Sequence, residues 1–274
     1  MNNAITKKRA REIISKSLRS TSGQWGIYIK NISENLEIKH NANSQFPSAS
    51  LIKLPILVST MLAVADGTIN LKSKIVVENE FATKEEKSGS GIILHLTSPL
   101  ELTVYDLCYF MIVVSDNYAT DLIIDLMGMD QINAKLRRIG LKQTSVNNKL
   151  SHYTKLGDKN PITPFEIGYL LELIATDKLP FSQLMYEILS RQVYNNRIPS
   201  FLPFEEIEND KLVVAHKTGT ITGIAHDAGI IRYLDKQYII CLSTKNQKEI
   251  SKTNHKMAQI SRDILSLFMS GTGT

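Results

Sequence analysis

Ser50 and Lys53 stand three residues apart in the stretch Phe46-Pro47-Ser48-Ala49-Ser50-Leu51-Ile52-Lys53-Leu54-Pro55. Read as the start of a helix, this spacing puts both side chains on one face, within reach of a shared hydrogen bond. A serine hydroxyl is a weak nucleophile until a base sits beside it. A lysine held in a dry site beside other cations loses its proton near neutral pH and can be that base. The Ser50 N–H, in the first turn, lacks an intrahelical partner and can face a developing oxyanion. Chance also produces such pairs, so the reading leans on two further stretches, Ser115-Asp116-Asn117 and Lys217-Thr218-Gly219. Each pattern occurs once, in that order.

Ser-x-x-Lys, Ser-Asp-Asn and Lys-Thr-Gly in this order form the motif set of class A β-lactamases and penicillin-binding proteins. From about Gly26 to the C-terminal helix the chain resembles this class A β-lactamase-like serine hydrolase family. The resemblance implies a β-lactamase/transpeptidase-like α/β fold and acyl-enzyme chemistry. It implies that Ser115 relays a proton to the leaving group and that Asn117 bonds the substrate's acyl-side amide. Asp116 would brace its turn. By themselves Ser115, Asp116 and Asn117 would equally make a helix cap or turn.

Lys217 would form part of the other wall. Its charge would help keep Lys53 neutral and attract a substrate carboxylate. Thr218 and Thr220 add hydroxyl donors. Gly219 would let substrate lie close to the strand backbone. The Thr220 N–H would be the second oxyanion donor, a kind of contact worth about 2.7–4 kcal/mol of barrier.

Two features of the family are missing. Class A enzymes hydrolyse the acyl-enzyme with a water held by the glutamate of a Glu-x-x-Leu-Asn loop, and no such pattern occurs here. The corresponding segment, about Val146 to Thr163, holds one acid, Asp158; Glu166 lies beyond it, inside the next helix. His152 or Asp158 would be a substitute base or a plain loop residue. The arginine that many class A enzymes place on the next strand is replaced by Ala225-His226-Asp227-Ala228-Gly229, with Arg232 a little later. His226 would bind substrate or shuttle protons, or else form a structural His–Asp pair. Deacylation is therefore expected to be slow or differently organised.

The elements that must hold these groups follow from pattern. Residues 3–18 read as an amphipathic helix with Ile5, Ile13, Ile14 and Leu18 inward. Trp25–Lys30 and Leu36–His40 form a hairpin. Ser48 would cap the helix carrying Ser50, Pro55 would kink it slightly, and Asp66-Gly67 would end it. Lys84 to Gly91 is a charged and then Gly/Ser-rich loop, in which Ser90 to Ile92 would border the site or simply lie on the surface. Helices follow from Thr103, through Asp125, over Asp130–Ile139 and from Thr163-Pro164 to Ala175. Leu212–His216, Ala228–Leu234 and Gln237–Thr244 read as strands, residues 249–269 as a last helix, and Gly271–Thr274 as a tail. Short turns between consecutive strands imply an antiparallel sheet. One domain over 1–274 is expected, with an α/β lobe of about 1–50 and 210–274 and a helical lobe of about 51–209. The site would lie in the crevice between them.

The bulk numbers fit a globular enzyme: 274 residues, 43% hydrophobic, 22% charged, net charge +5. The basic cluster Lys7, Lys8, Arg9 and Arg11 reads as the solvated face of the first helix, so neither nucleic acid nor a membrane is expected as partner. No apolar stretch is long enough to span a bilayer. No secretory leader is visible, so the expected location is the cytoplasm, or the periplasm or outside if this is a mature form. Cys108 and Cys241 are expected to be buried free thiols; some class A enzymes tie the nucleophile helix to the helix bearing Cys108, but Ser50 to Ala65 holds no cysteine. No metal-ligand spacing or phosphate loop appears, so no cofactor is expected. A monomer acting on a small molecule follows, with a β-lactam, D-Ala-type peptide, amide or ester as substrate. The competing functions are a non-hydrolysing penicillin-binding sensor, a D,D-peptidase, an esterase, and a glutaminase, whose family shares the Ser-x-x-Lys start.

Overall fold

The structure, a computed structural model, describes residues 3–78, 89–152 and 160–269. The run Lys84–Ser88, Asp158, the His152 side chain and the tail Gly271–Thr274 lie outside the described residues.

Alternating apolar residues build the sheet. Strands β1 (Gln24–Asn31), β2 (Leu36–His40), β7 (Leu212–Ile221), β8 (Ile224–Tyr233) and β9 (Lys236–Lys245) pair antiparallel in the order β2-β1-β9-β8-β7. Side chains alternate between faces along a strand. Ile27, Ile29, Ile231, Ile240 and Leu242 accordingly face one apolar cluster, and Tyr28, Ile230, Ile239 and Cys241 face another. The first cluster is covered by helix α1 (Asn3–Leu18) and the C-terminal helix α9 (Ile250–Met269), through Ala10, Ile14, Ile260 and Ile264. Ile13 and Leu18 pack against it partly buried, but Ile5 is 48% exposed, because the buried stripe of α1 runs through Thr6, Ala10 and Ile14.

The second face meets the helical body. This comprises α2 (Lys53–Ala65), α3 (Val104–Val113), α4 (Asn117–Met127), α5 (Met129–Arg138), α6 (Pro164–Ala175) and α7 (Ser182–Ser190). Helix α6 lies directly on β1, β8 and β9. Gly168 makes that approach possible: a Cβ there would stand 2.1 Å from the Tyr28 ring. The short pieces are β3 (Phe46–Pro47) with β6 (Pro161–Ile162), β4 (Lys74–Val77) with β5 (Leu100–Thr103), and α8 (Phe204–Glu208).

Local start signals held where their partners are local. Thr103 caps α3 and forms a reciprocal capping box with Asp106. Thr163 caps α6, with Pro164 in its first turn. Ser48 is different. It has helical dihedrals, makes no side-chain cap bond, and donates its hydroxyl to Ala49 O. An N-cap needs an extended backbone. The Ser48 N–H is instead bound to Asn160 O at 2.9 Å, which holds it in place. A 3-10 turn, Ala49–Ile52, therefore precedes α2, and Ser50 sits on that turn. Pro55 falls third in α2, where an N–H has no intrahelical partner, so the proline costs the helix nothing there.

Strands β7 and β8 run further than their hydrophobic patterns indicate. Lys217 to Thr220 are inside β7, and His226 and Asp227 are mid-strand in β8, paired with Gly219 and Thr218. Pairing with β8 holds Lys217 to Thr220 in the edge strand β7, and pairing with β7 on one side and β9 on the other holds Asp227 and His226 in β8.

Candidate active site

The 3-10 turn, the first residue of α2, the turn before α4 and strand β7 converge on one cleft of about 340 Å³. A hollow of about 710 Å³ along the solvent face of α1 is larger. Chemistry, not size, singles out the smaller one.

Lys53 is fully buried, and its Nζ lies 3.1 Å from Ser50 Oγ, as the i,i+3 spacing indicates. The same Nζ reaches Ser115 O at 2.6 Å, Ser115 Oγ at 3.1 Å and Asn117 Oδ1 at 2.7 Å. Four oxygens compete for an amine that has at most three protons. Lys217, also fully buried, donates from Nζ to Ser115 Oγ at 3.0 Å and to Thr218 O at 2.9 Å. The Ser115 hydroxyl thus bridges the two lysines. A hydroxyl has one proton and two lone pairs, so it can accept from one lysine and donate to the other only if that one is neutral.

Burial makes neutrality accessible. It pushes Lys53 down to about 7, against the pull of Asp116 and Asp121. Burial and the neighbouring Lys53 hold Lys217 well below the usual lysine range. Two ammonium groups sharing one hydroxyl in a dry site repel, so the pair favours a state with a single charge.

Backbone strain marks both sides of this cluster. Ala49 has φ +44° and Ser115 φ +57°, a region costing a non-glycine residue about 1–3 kcal/mol. Asp116 holds the second turn: its carboxylate accepts from Ala119 N as the cap of α4, and from Ile92 N and Ile93 N. This is the bracing role expected for it. Ser90 lines the cleft, and its carbonyl accepts the Asn117 N–H.

Gly219 lines the cleft and also packs β7 against the Ser50 turn. A Cβ on it would lie 2.9 Å from Leu51 N, 3.1 Å from Ser48 O and 3.2 Å from Ser50 N. The strand backbone thus comes close to the Ser50 turn. Gly219→Ala should push strand and turn apart, destabilising the fold by about 1–3 kcal/mol as overpacking does. A displacement of about 1 Å at the reacting atoms should slow acylation about a hundredfold. A melting curve and an acylation time course check both.

Arg197 is the residue that sequence reading missed. It is 3% exposed and lines the cleft. Its guanidinium donates to Asn254 Oδ1 at 2.8 Å, Gly219 O at 3.2 Å, His226 O at 2.7 Å and Thr220 Oγ1. Among the described residues no carboxylate is within ion-pair distance of it. Burial lowers its pKa from the ordinary value, and the more distant Asp227 pulls it back up. The signal for it was faint: Arg197 is the only charged residue between Arg191 and Glu205. Arg232 is not in the cleft lining; it stacks over Tyr186, 4.3 Å from the ring centroid.

His226 is a structural residue, fully buried. Its Nε2–H donates to Pro47 O at 2.7 Å, and its Nδ1 accepts the Thr244 N–H at 3.1 Å. Burial pushes its pKa down to about 4, so it is neutral and ties β8 to the segment before Ser50. It does not pair with Asp227, because adjacent strand residues point to opposite faces. Asp227 bonds His216 on the neighbouring strand, at 2.8 Å.

Glu166 is spent on the backbone. Its carboxylate accepts from Lys142 N, Gln143 N and Thr144 N at 2.6–3.2 Å, fastening that turn to the start of α6. Asp121 likewise accepts from Leu150 N and Ser151 N. Cys108 and Cys241 are buried free thiols.

An antiparallel sheet with terminal helices on one face and a helical body on the other, and a Ser-x-x-Lys turn in the cleft, defines the β-lactamase fold. The chain belongs to the beta-lactamase enzyme family, whose family model matches residues 7–268. It is similar to beta-lactamase VEB-1 of Pseudomonas aeruginosa, at 24% identity over 89% of this chain and 85% of that one. Among solved structures, a beta-lactamase from Sphaerobacter thermophilus matches with a TM-score of 0.84 and 26% identity, covering 97% of this chain and 98% of that chain. PBP-A matches in fold with a TM-score of 0.83 at 24% identity, covering 96% of each chain. Among the described residues no helix is long and apolar enough to cross a membrane.

Proposed function

We propose that this protein is a serine acyl hydrolase or acyl-transfer enzyme. In this reading it forms an acyl-enzyme at Ser50 with a carboxylate-bearing lactam or D-Ala-type amide and releases the acyl group slowly. The observation that carries the reading is a buried Lys53 amine, with its pKa pushed down to about 7, held between Ser50 Oγ and Ser115 Oγ.

Ser50 Oγ attacks the substrate carbonyl carbon as its proton passes to the neutral Lys53. The Ser50 and Thr220 N–H groups receive the oxyanion. As the C–N bond breaks, the proton travels from Lys53 through the Ser115 hydroxyl to the leaving nitrogen. Asn117 steadies the acyl-side amide. Lys217, Thr218 and Arg197 receive the carboxylate, and the absence of an acidic partner for Arg197 among the described residues supports an anionic substrate.

Slow release rests on chemistry the chain has already committed. Glu-x-x-Leu-Asn is missing, and the buried acids Asp116, Asp121 and Glu166 are all engaged by backbone N–H groups. None of the three lines the cleft.

Penicillin G forms an acyl-enzyme with a point mutant of PBP-A, which makes it a suitable probe. Benzylpenicillin should add its whole mass to this protein within minutes, and the adduct should persist for hours with little ring-opened product. Fast turnover would overturn slow release and make this a working β-lactamase. No adduct and no turnover, followed by no reaction with simple esters, would overturn acylation at Ser50.

A further inference from the structure

A strap of residues 192–198 joins the two walls of the cleft. On the helical side it meets the end of α3, just before Ser115. Gln192 Nε2 donates to Ile112 O, Val193 N to Val113 O and Tyr194 Oη to Val114 O, at 2.8, 3.1 and 3.3 Å. These are carbonyls that a helix end leaves without partners. On the sheet side the strap meets a buried couple. His216 Nδ1 lies 2.8 Å from Asp227 Oδ1, His216 Nε2 lies 3.0 Å from the Asn195 side-chain amide, and Ile198 N donates to Asp227 Oδ2 at 3.0 Å. His216 and Asp227 are 1% and 0% exposed. Arg197 lies between the two anchors, Asn195 and Ile198.

This arrangement needs a side chain with a polar atom at each end. His216 stands next to Lys217 on β7, so their side chains leave the strand on opposite faces. An imidazole reaches the carboxylate on β8 with one nitrogen and the strap with the other. A shorter carboxamide reaches only one of them.

We propose that His216 is a positioning residue: through Asp227 and Asn195 it holds the strap so that the Arg197 guanidinium faces the cleft, and so sets the preference for acyl substrates that carry a carboxylate. The proposal rests on the reading of Ser50 as the acylated residue.

The test compares benzylpenicillin with its methyl ester, in which the carboxylate is masked. Acylation is followed by intact mass for wild type, Arg197→Ala, His216→Asn and Asn195→Ala. Wild type should prefer the free carboxylate, and Arg197→Ala should weaken that preference, leaving the part that Lys217 and Thr218 supply. His216→Asn should lower the second-order acylation constant for benzylpenicillin about tenfold, as loss of a hydrogen bond within a charged network does, with a loss at least about fivefold smaller for the ester. The loss should appear in the half-saturating concentration and not in the limiting acylation rate. Asn195 is exposed, so Asn195→Ala keeps the test valid if His216→Asn fails to fold; it should shift the same ratio in the same direction. Equal losses with both probes, an unchanged ratio in both variants, or a preference undiminished in Arg197→Ala would overturn the proposal alone. Absence of any adduct on wild type would instead overturn the acylation reading, and the proposal with it.

Discussion

Ser50→Ala should eliminate covalent labelling by benzylpenicillin, with acylation falling by about six orders of magnitude, the scale on which serine hydrolases lose rate when the nucleophile is removed. Among the described residues, Ser50 Oγ is the only candidate nucleophile that touches the Lys53 amine and lies on the turn whose N–H groups can face an oxyanion. Ser115 Oγ also touches Lys53, but it is already shared with Lys217 and is 4% exposed, whereas Ser50 is half-buried. The substitution removes one half-buried hydroxyl whose bond is to Lys53, so the melting temperature should stay within a few degrees. Reversible binding should survive, because the groups that receive the carboxylate are untouched; displacement of a fluorescent ligand measures it. Undiminished labelling of Ser50→Ala would remove Ser50 from the chemistry.

Lys53→Met should lower the acylation rate about a hundredfold to ten-thousandfold, the usual range for a general base. Methionine keeps the length of the side chain and removes the amine. The sign of the pH dependence follows from which form works. In the proposed mechanism the neutral amine is the base, and burial pushes its pKa down to about 7, so the wild-type rate should climb about tenfold per pH unit below 7 and level off above it. The limb belongs to the coupled pair of lysines, not to Lys53 in isolation. In Lys53→Met the limb should vanish along with the rate. A variant that keeps both the rate and the limb would place the base elsewhere.

Several parts of this site were legible in the chain because their geometry is local. Ser50 and Lys53 meet because three residues separate them on a helical turn, and a 3-10 turn preserves that meeting as well as an α-helix does. Thr103 and Thr163 announce their helices because an N-cap bonds two or three residues ahead. The sheet faces follow from alternation along β1, β8 and β9. The three ordered motifs are enough to indicate the family, and the family model agrees.

The remainder depended on which segments lie beside one another. Arg197 enters the cleft from a loop, and its partners on β7, β8 and α9 are 22 to 57 residues away in the chain. The neighbouring sequence His226-Asp227 suggested a pair, yet strand register gave Asp227 to His216 and sent His226 to Pro47, 179 residues away. Gly219 is needed because β7 presses on the Ser50 turn, a contact between segments that begin far apart. Ser48 did not cap a helix because its backbone is helical and not extended; Asn160, across the β3–β6 bridge, takes its N–H.

By itself, then, the sequence determined the local part of the proposed site: a serine and a lysine on one turn, a second serine in a capped turn, and a lysine-bearing strand, all specified over a few residues by helical and strand periodicity. Only the tertiary structure decided what surrounds that centre. It selected Arg197 as the cation facing the cleft, made His216 and not His226 the partner of Asp227, and committed Glu166 and Asp121 to holding backbone. Those choices rest on hydrogen bonds between segments distant in sequence, whose geometry exists only after sheet register and helix packing have fixed which side chains face each other.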